Sequence, residues 1–149
     1  MGGNKVSQLL DRWDGDAISL KPNVLTIVIG INDYFYFEKN NIPVKKYYDD
    51  YRKLVETTLE KFPDLILIIG EPFCIDSPNV ERNFLLEFQS ASKRISDEFH
   101  ANFIPLQTIF NRAIDFAPRS YWSREGDGIH PSIAGAYLLG TAWLNLFEL

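Results

Sequence analysis

The sequence has little of what several protein classes require. Its single cysteine, Cys74, rules out an intrachain disulfide. Its only histidines, His100 and His130, lie far apart, so the chain offers no ligand cluster with the spacing of a metal site. It contains neither a Gly-x-Gly-x-x-Gly fingerprint nor a P-loop. We therefore expect no metal and no nucleotide cofactor.

Positive charge and long apolar runs are also scarce. Fifteen Lys and Arg stand against twenty Asp and Glu, a net charge of −5, and no basic stripe is present that could neutralise the phosphates of a nucleic acid. The longest apolar runs, Val24–Ile29 and Leu65–Ile69, are far shorter than the roughly 20 residues of a membrane span. The first residues lack the apolar core of a signal peptide. We expect no nucleic-acid partner, no membrane span and a cytoplasmic location.

The two apolar runs are informative in themselves. Each is rich in β-branched residues, follows a proline-containing turn and does not alternate with polar residues, which is typical of strands buried on both faces of a parallel sheet. Residues 102–106 form a third, weaker strand pattern that contains Pro105. At 149 residues the chain is long enough for one domain, and residues 1–149 are interpreted as one.

Helical patterns alternate with these strands. Apolar residues recur every three or four positions in segments 5–20, 43–62, 79–100 and 132–149. The order α-β-α-β-α-β-α-α, with one helix between the third strand and segment 132–149, predicts a doubly wound α/β fold with a parallel sheet and crossover helices. In such sheets ligands bind at the carboxyl ends of the strands, which directs attention to the residues after each strand.

The most specific motif is Asp127-Gly128-Ile129-His130-Pro131-Ser132, just before the last helical segment. An aspartate three residues before a histidine can accept a hydrogen bond from the imidazole Nδ1, which fixes the tautomer and stabilises the imidazolium. Taken alone, so short a pattern is more often a solvent-exposed loop beside a helix cap. Ser132 is expected to supply that cap.

A second motif, Gly30-Ile31-Asn32-Asp33, follows the first strand. The Asn32 side-chain amide could donate to a developing oxyanion there, but Gly, Asn and Asp are also ordinary turn residues. The aromatic run 34–37 that follows could line an acyl or sugar pocket, or it could pack under a loop. The sequence favours neither.

Together, the two motifs and their order resemble the SGNH/GDSL serine hydrolase family. Gly30-x-Asn32-Asp33 matches that family's third conserved block and Asp127-x-x-His130 its fifth, and the flanking segments 12–27 and 121–135 agree. The resemblance implies a flavodoxin-like, three-layer α/β/α sandwich with strand order 2-1-3-4-5, here without its first two strands. It also implies hydrolysis of carboxylic esters, such as short acyl or acetyl esters of carbohydrate or lipid, without a cofactor.

The same resemblance implies a role for four residues. His130 is expected to act as general base and then general acid, and Asp127 to orient it. Asn32 is expected to donate its side-chain amide to the oxyanion. Gly3 occupies the position of the family's second block, so its backbone N–H is expected to be another donor.

The nucleophile of that family is not found in the sequence. Its first block is Gly-Asp-Ser, whereas the two Gly-Asp pairs of this chain are followed by Ala17 and Gly128. Ser120 and Ser123 precede the Asp127 loop and could approach His130 as a substitute nucleophile, but neither lies in a nucleophile motif. We therefore expect the serine to lie outside residues 1–149 and this chain alone to be inactive or nearly so.

The resemblance leads to one structural expectation, and two alternative functions stay open. Without the serine-bearing strand, the strand at 24–29 has an exposed edge, which favours self-association or poor solubility. The alternative function is a non-catalytic binding module, or a degenerate hydrolase that keeps the cleft. A receiver-like or flavodoxin-like regulatory domain is a weaker alternative, because it leaves Asp127-x-x-His130 unexplained.

Overall fold

The computed structural model describes residues 2–124 and 127–147. Three parallel strands form one sheet in the order β1 (Val24–Val28), β2 (Ile66–Gly70) and β3 (Asn102–Ile104). All three predicted strands are therefore confirmed. The third is shorter than predicted, because Pro105 has no N–H to donate to a ladder and instead begins a helix.

Eight helices surround the sheet among the described residues. They are α1 (Val6–Leu10), α2 (Trp13–Asp16), α3 (Ile31–Asn40), α4 (Lys45–Lys61), α5 (Arg82–Glu98), α6 (Leu106–Ala113), α7 (Arg119–Trp122) and α8 (Ile133–Leu144). Short 3₁₀ helices span Ile18–Leu20 and Asn145–Phe147. The predicted helices at 43–62, 79–100 and 132–149 are confirmed as α4, α5 and α8, with residues 148–149 outside the described part.

The amino-terminal helix departs from the prediction. The segment 5–20 is broken into α1, α2 and a 3₁₀ turn rather than forming one helix. Gly15 and three aspartates weaken its helical propensity. The buried Trp13 ring also donates its Nε1–H to Thr58 of α4 at 2.8 Å. This bond fixes α2 against α4, so α2 does not continue the axis of α1. The helix predicted without bounds between the third strand and segment 132–149 is present as α6, whereas α3 and α7 were not predicted.

The two faces of the sheet pack against different helices. Leu67 and Ile69 of β2 face a core built with α1, α4 and α5, whereas Ile68 belongs to a second core shared with α6 and α8. Helices thus cover both faces, so the predicted three-layer α/β/α class is confirmed. No helix among the described residues has the length and apolarity needed to cross a membrane.

The second face is only partly covered. Val24, Val28 and Ile66 are exposed on it, and Val28 retains 49% of its surface. Helix α8 is apolar around most of its circumference, with Ile133 93% and Tyr137 79% exposed. β1 is also an edge strand of the sheet that the described residues form. The Trp143 ring of α8 donates its Nε1–H to Thr26 of β1 at 2.9 Å, so the apolar surface formed by α8 and these strand residues lies beside the β1 edge.

Candidate active site

Asp127 holds His130 through contacts that use both of its carboxylate oxygens. Oδ2 lies 2.6 Å from the imidazole Nδ1. Oδ1 accepts the backbone N–H groups of Ile129 at 2.8 Å and of His130 at 3.0 Å. One oxygen therefore shapes the turn while the other orients the ring, and the largely exposed ring leaves its Nε2 open.

The charge of Asp127 is stabilised locally. Partial burial raises its pKa, but the Ile129 N–H, the His130 ring and the His130 N–H lower it, and the net pKa lies below the usual value. The carboxylate therefore stays ionised near neutral pH. An ionised Asp127 can stabilise the imidazolium that forms when His130 accepts a proton.

Backbone contacts fix the loop on which the pair lies. The Gly128 N–H donates to the Ser123 hydroxyl at 3.1 Å, and the Gly128 carbonyl accepts the Ile75 N–H at 2.6 Å. Gly128 has a φ of 80°, and a Cβ there would lie 2.6 Å from the Ile75 carbonyl oxygen. Only glycine fits this close approach between the Asp127 loop and the loop after β2.

None of the serines nearest to His130 in sequence is hydrogen-bonded to its ring. Ser123 is buried, and its hydroxyl donates to the Arg119 carbonyl while accepting the Gly128 N–H. Ser132 caps α8 by accepting the Gly135 N–H, as predicted. Ser120 lies exposed on α7. Within the described ranges, the His130 ring has no hydroxyl within hydrogen-bonding distance.

The two predicted oxyanion-hole residues lie at one cavity. Asn32 is in the first turn of α3, directly after β1, and its Nδ2 donates to the Asn4 carbonyl at 3.2 Å. Gly3, Asn4 and Asn32 line the same depression beside the end of β1. Asn32 has a second amide N–H that this bond does not use, so one donor remains for a ligand.

Asp33 is a buried residue of the Gly30-x-Asn32-Asp33 motif to which the sequence assigned no role. It is 2% exposed, and both carboxylate oxygens accept the Val6 N–H, at 3.1 and 3.3 Å. Burial raises its pKa to about 7, against lowering contributions from the Val6 N–H and Lys5. Asp33 thus ties the segment that carries Gly3 to the helix that carries Asn32. Its place as the last residue of the Gly30-x-Asn32-Asp33 motif was the available signal.

The Asp127 loop and the Asn32 motif lie at the same edge of the sheet. Gly30 has a φ of 132°, and a Cβ there would meet the Pro72 ring, so the loop after β2 packs on this motif. The same loop reaches the Asp127 loop through Ile75 and Gly128. Both motifs therefore border the carboxyl ends of the strands, where α/β proteins bind ligands.

The aromatic run after Asn32 is mainly structural. Tyr34 and Phe37 are buried in α3 and pack edge-on against Phe88 of α5. Tyr36 is exposed and lies under the Lys5 ammonium. Of the two interpretations left open, packing therefore applies to Tyr34 and Phe37.

Across residues 2–124 and 127–147, no three His, Cys, Asp or Glu side chains converge as metal ligands do.

The comparisons with known proteins assign the chain to a family. The sequence model described as the GDSL-like lipase/acylhydrolase family matches residues 1–138. The chain therefore belongs to the GDSL-like lipase/acylhydrolase family, whose members hydrolyse esters. This confirms the resemblance to SGNH/GDSL hydrolases inferred from the motifs.

Individual relatives agree in sequence and in fold. An acetylxylan esterase from Geobacillus stearothermophilus is 29% identical over 97% of this chain and 68% of its own length. A GDSL-like lipase from Parabacteroides merdae is 36% identical and superposes with a TM-score of 0.88 over 96% of this chain and 68% of its own. The crystal structure of the Geobacillus esterase superposes with a TM-score of 0.82, over 96% and 67% of the two chains.

Variants of the Geobacillus esterase have also been crystallised. Three of them, described as catalytic mutants, carry alanine in place of a histidine, an aspartate or a serine. In that esterase the aspartate precedes the histidine by three residues, and the serine lies near the amino terminus.

Proposed function

We propose that this chain supplies the general base, its aspartate partner and two oxyanion-hole donors for the hydrolysis of carboxylic esters through a serine acyl-enzyme. The observation that carries the proposal is the 2.6 Å contact between the Asp127 carboxylate and the Nδ1 of His130. The same three-residue spacing of aspartate and histidine in the Geobacillus esterase supports it.

The proposed mechanism assigns each group one task. The Nε2 of His130 takes the proton of the serine hydroxyl as its oxygen attacks the ester carbonyl, and then gives that proton to the departing alkoxide. Water attacks the acyl-serine with the same base and releases the carboxylic acid. The Asn32 amide and the Gly3 N–H donate to the negative oxygen of each tetrahedral intermediate.

The nucleophilic serine is proposed to come from outside residues 1–149, so this chain alone is expected to be inactive or nearly so. The sequence contains neither Gly-Asp-Ser nor Gly-x-Ser-x-Gly, and the hydroxyl of Ser123 is occupied by backbone groups. The amino-terminal position of the serine in the Geobacillus esterase supports this arrangement.

The proposed substrates are short acyl esters, with acetyl groups on carbohydrate favoured over lipid esters. The support is the similarity to an acetylxylan esterase in both sequence and structure.

A serine-reactive fluorophosphonate tests the function. Labelling is compared between this chain alone and the chain joined to the amino-terminal segment of the Geobacillus esterase that holds its serine. Each form is also made with His130→Ala. The matched control is His100→Asn, since His100 has a φ of 52° and asparagine tolerates that conformation.

We expect labelling only in the serine-bearing form, its loss in His130→Ala and its retention in His100→Asn. Labelling of the chain alone would place a nucleophile within residues 1–149. Labelling that is independent of His130 would refute the role of the Asp127–His130 pair. Absence of labelling in every form would favour the alternative function, a binding module that keeps the cleft.

Asn32→Ala is expected to lower kcat of the serine-bearing form about 100- to 1000-fold, with KM changed little, because an oxyanion donor acts mainly in the transition state. Steady-state hydrolysis of p-nitrophenyl acetate measures both constants. Asn40→Ala, at the other end of α3, is the control, since the Asn40 amide donates only to the Tyr36 carbonyl. Equal effects of the two substitutions would contradict the oxyanion role.

The chain alone is expected to self-associate through the β1 edge and the apolar surface beside it. Analytical ultracentrifugation should show species of at least twice the 17.2 kDa chain mass. Val28→Lys places a charge on this surface and should shift the population toward monomer. Leu86→Lys, at an exposed apolar residue of α5, should not. A monomeric wild-type chain would refute the prediction.

A further inference from the structure

Gln107 forms a paired contact with the backbone of the loop after β2. It lies in the first turn of α6, which follows β3. Its Oε1 accepts the Cys74 N–H at 2.9 Å, and its Nε2 donates to the Cys74 carbonyl, also at 2.9 Å. A primary amide that bonds to both the N–H and the carbonyl of one residue forms the same pair of hydrogen bonds that a residue of a neighbouring β-strand would form.

The remaining hydrogen-bonding capacity of the Gln107 side-chain amide is also used. Oε1 accepts a second bond from the Nε2 of the buried Gln89 at 3.1 Å, and Nε2 donates to the Asn111 side chain at 2.9 Å. Two lone pairs and two N–H groups thus find four partners, the full capacity of a glutamine side chain. The backbone N–H of Gln107 donates to the buried Glu71 carboxylate at 2.7 Å, which fixes the helix end as well.

Ile75, the residue after Cys74, contacts the Asp127 loop. The Ile75 N–H donates to the Gly128 carbonyl at 2.6 Å, and Gly128 directly follows Asp127. Ile75 is 1% exposed, so this bond is shielded from water. A continuous path of hydrogen bonds and two peptide links, Cys74–Ile75 and Asp127–Gly128, therefore runs from Gln107 to the Asp127–His130 pair.

The proposal rests on the proposed function of that pair. We propose that Gln107 is a positioning residue for the pair. It holds Cys74 so that Ile75 presents its N–H to Gly128, which keeps Asp127 aligned with the Nδ1 of His130. Gln107 itself does not touch the substrate or the reacting atoms.

NMR measurements on the full chain test this without requiring an acyl-enzyme. Amide hydrogen exchange at Ile75 reports the bond to Gly128. The ¹⁵N shifts of the His130 ring at alkaline pH report the fraction of neutral imidazole that carries its proton on Nδ1, the tautomer that Asp127 stabilises. The variants are Gln107→Met, which removes all four side-chain bonds, and Asn111→Ala, which removes only the contact that does not reach the loop.

In Gln107→Met we expect Ile75 exchange about tenfold faster and the Nδ1–H to Nε2–H ratio about threefold lower. Asn111→Ala should leave both unchanged. Gln107→Glu keeps the acceptor for the Cys74 N–H but loses both donors, so it should give intermediate values. If Gln107→Met does not fold, Gln107→Glu decides the question.

Other results separate two kinds of failure. A wild-type ring without a dominant Nδ1–H tautomer would refute the Asp127–His130 pair and this inference together. A dominant tautomer that persists unchanged in a folded Gln107 variant would refute the positioning role and leave the pair intact. Unfolding of both Gln107 variants would assign the residue to general stability and overturn the specific role.

Discussion

Asp127→Asn is expected to lower kcat/KM of the serine-bearing form about ten-thousand-fold while leaving the loop folded. The two carboxylate oxygens make different contacts, so the substitution separates their tasks. The Oδ1 of asparagine can still accept the N–H groups of Ile129 and His130. Its amide nitrogen, in the place of Oδ2, presents hydrogens to the Nδ1 of His130 and favours the tautomer protonated on Nε2, which cannot take a proton from serine.

The measurements are ester hydrolysis for the rate and thermal unfolding for the loop. Asp127→Ala should lose both properties, since it also removes the acceptor for the two backbone N–H groups. Asp115→Asn, at an exposed aspartate elsewhere, serves as the control and should retain full activity. An Asp127→Asn variant within about threefold of wild type would mean that the 2.6 Å contact has no catalytic role.

The second large effect concerns Asp33 and the pH dependence of stability. Burial raises its pKa from 3.8 to about 7 in the folded chain. Below pH 3.8 the group is protonated in both states, and between these values the folded chain holds a proton that the unfolded chain has released. The free energy of unfolding should therefore fall as pH rises from about 4 to about 7, by up to about 4 kcal/mol from this group.

Asp33→Asn should remove that contribution, because asparagine does not ionise and its Oδ1 can still accept the Val6 N–H. The measurement is urea unfolding of both proteins at several pH values, and the informative quantity is their difference. Glu71 also has a pKa raised by burial, but it is common to both proteins and cancels. Asp64→Asn is the exposed control. Parallel pH profiles for wild type and Asp33→Asn would refute the assignment.

The sequence predicted the strands and the long helices because their signals are local. Continuous β-branched runs identified β1 and β2, and three- to four-residue spacing identified α4 and α5. The prediction of one helix over 5–20 was wrong. The apolar spacing of this segment fits a single helix, but the contact between Trp13 and Thr58, forty-five positions apart, interrupts that helix. Helix α3 was missed because Gly-x-Asn-Asp is also a turn composition, and only packing against Phe88 makes the following aromatic run helical.

What the sequence determined by itself is the chemistry that the chain offers: an aspartate three residues before a histidine, an asparagine after a buried strand, one cysteine and no Gly-Asp-Ser. These are identities and spacings, which folding does not alter. The tertiary structure alone decided that Asp33 is buried, that the Gln107 side-chain amide is hydrogen-bonded to the Cys74 backbone, and that the Ile75 N–H donates to the Gly128 carbonyl. Each of these facts joins residues that are distant in the chain, and burial and hydrogen-bond geometry exist only once the sheet has brought its loops to one edge.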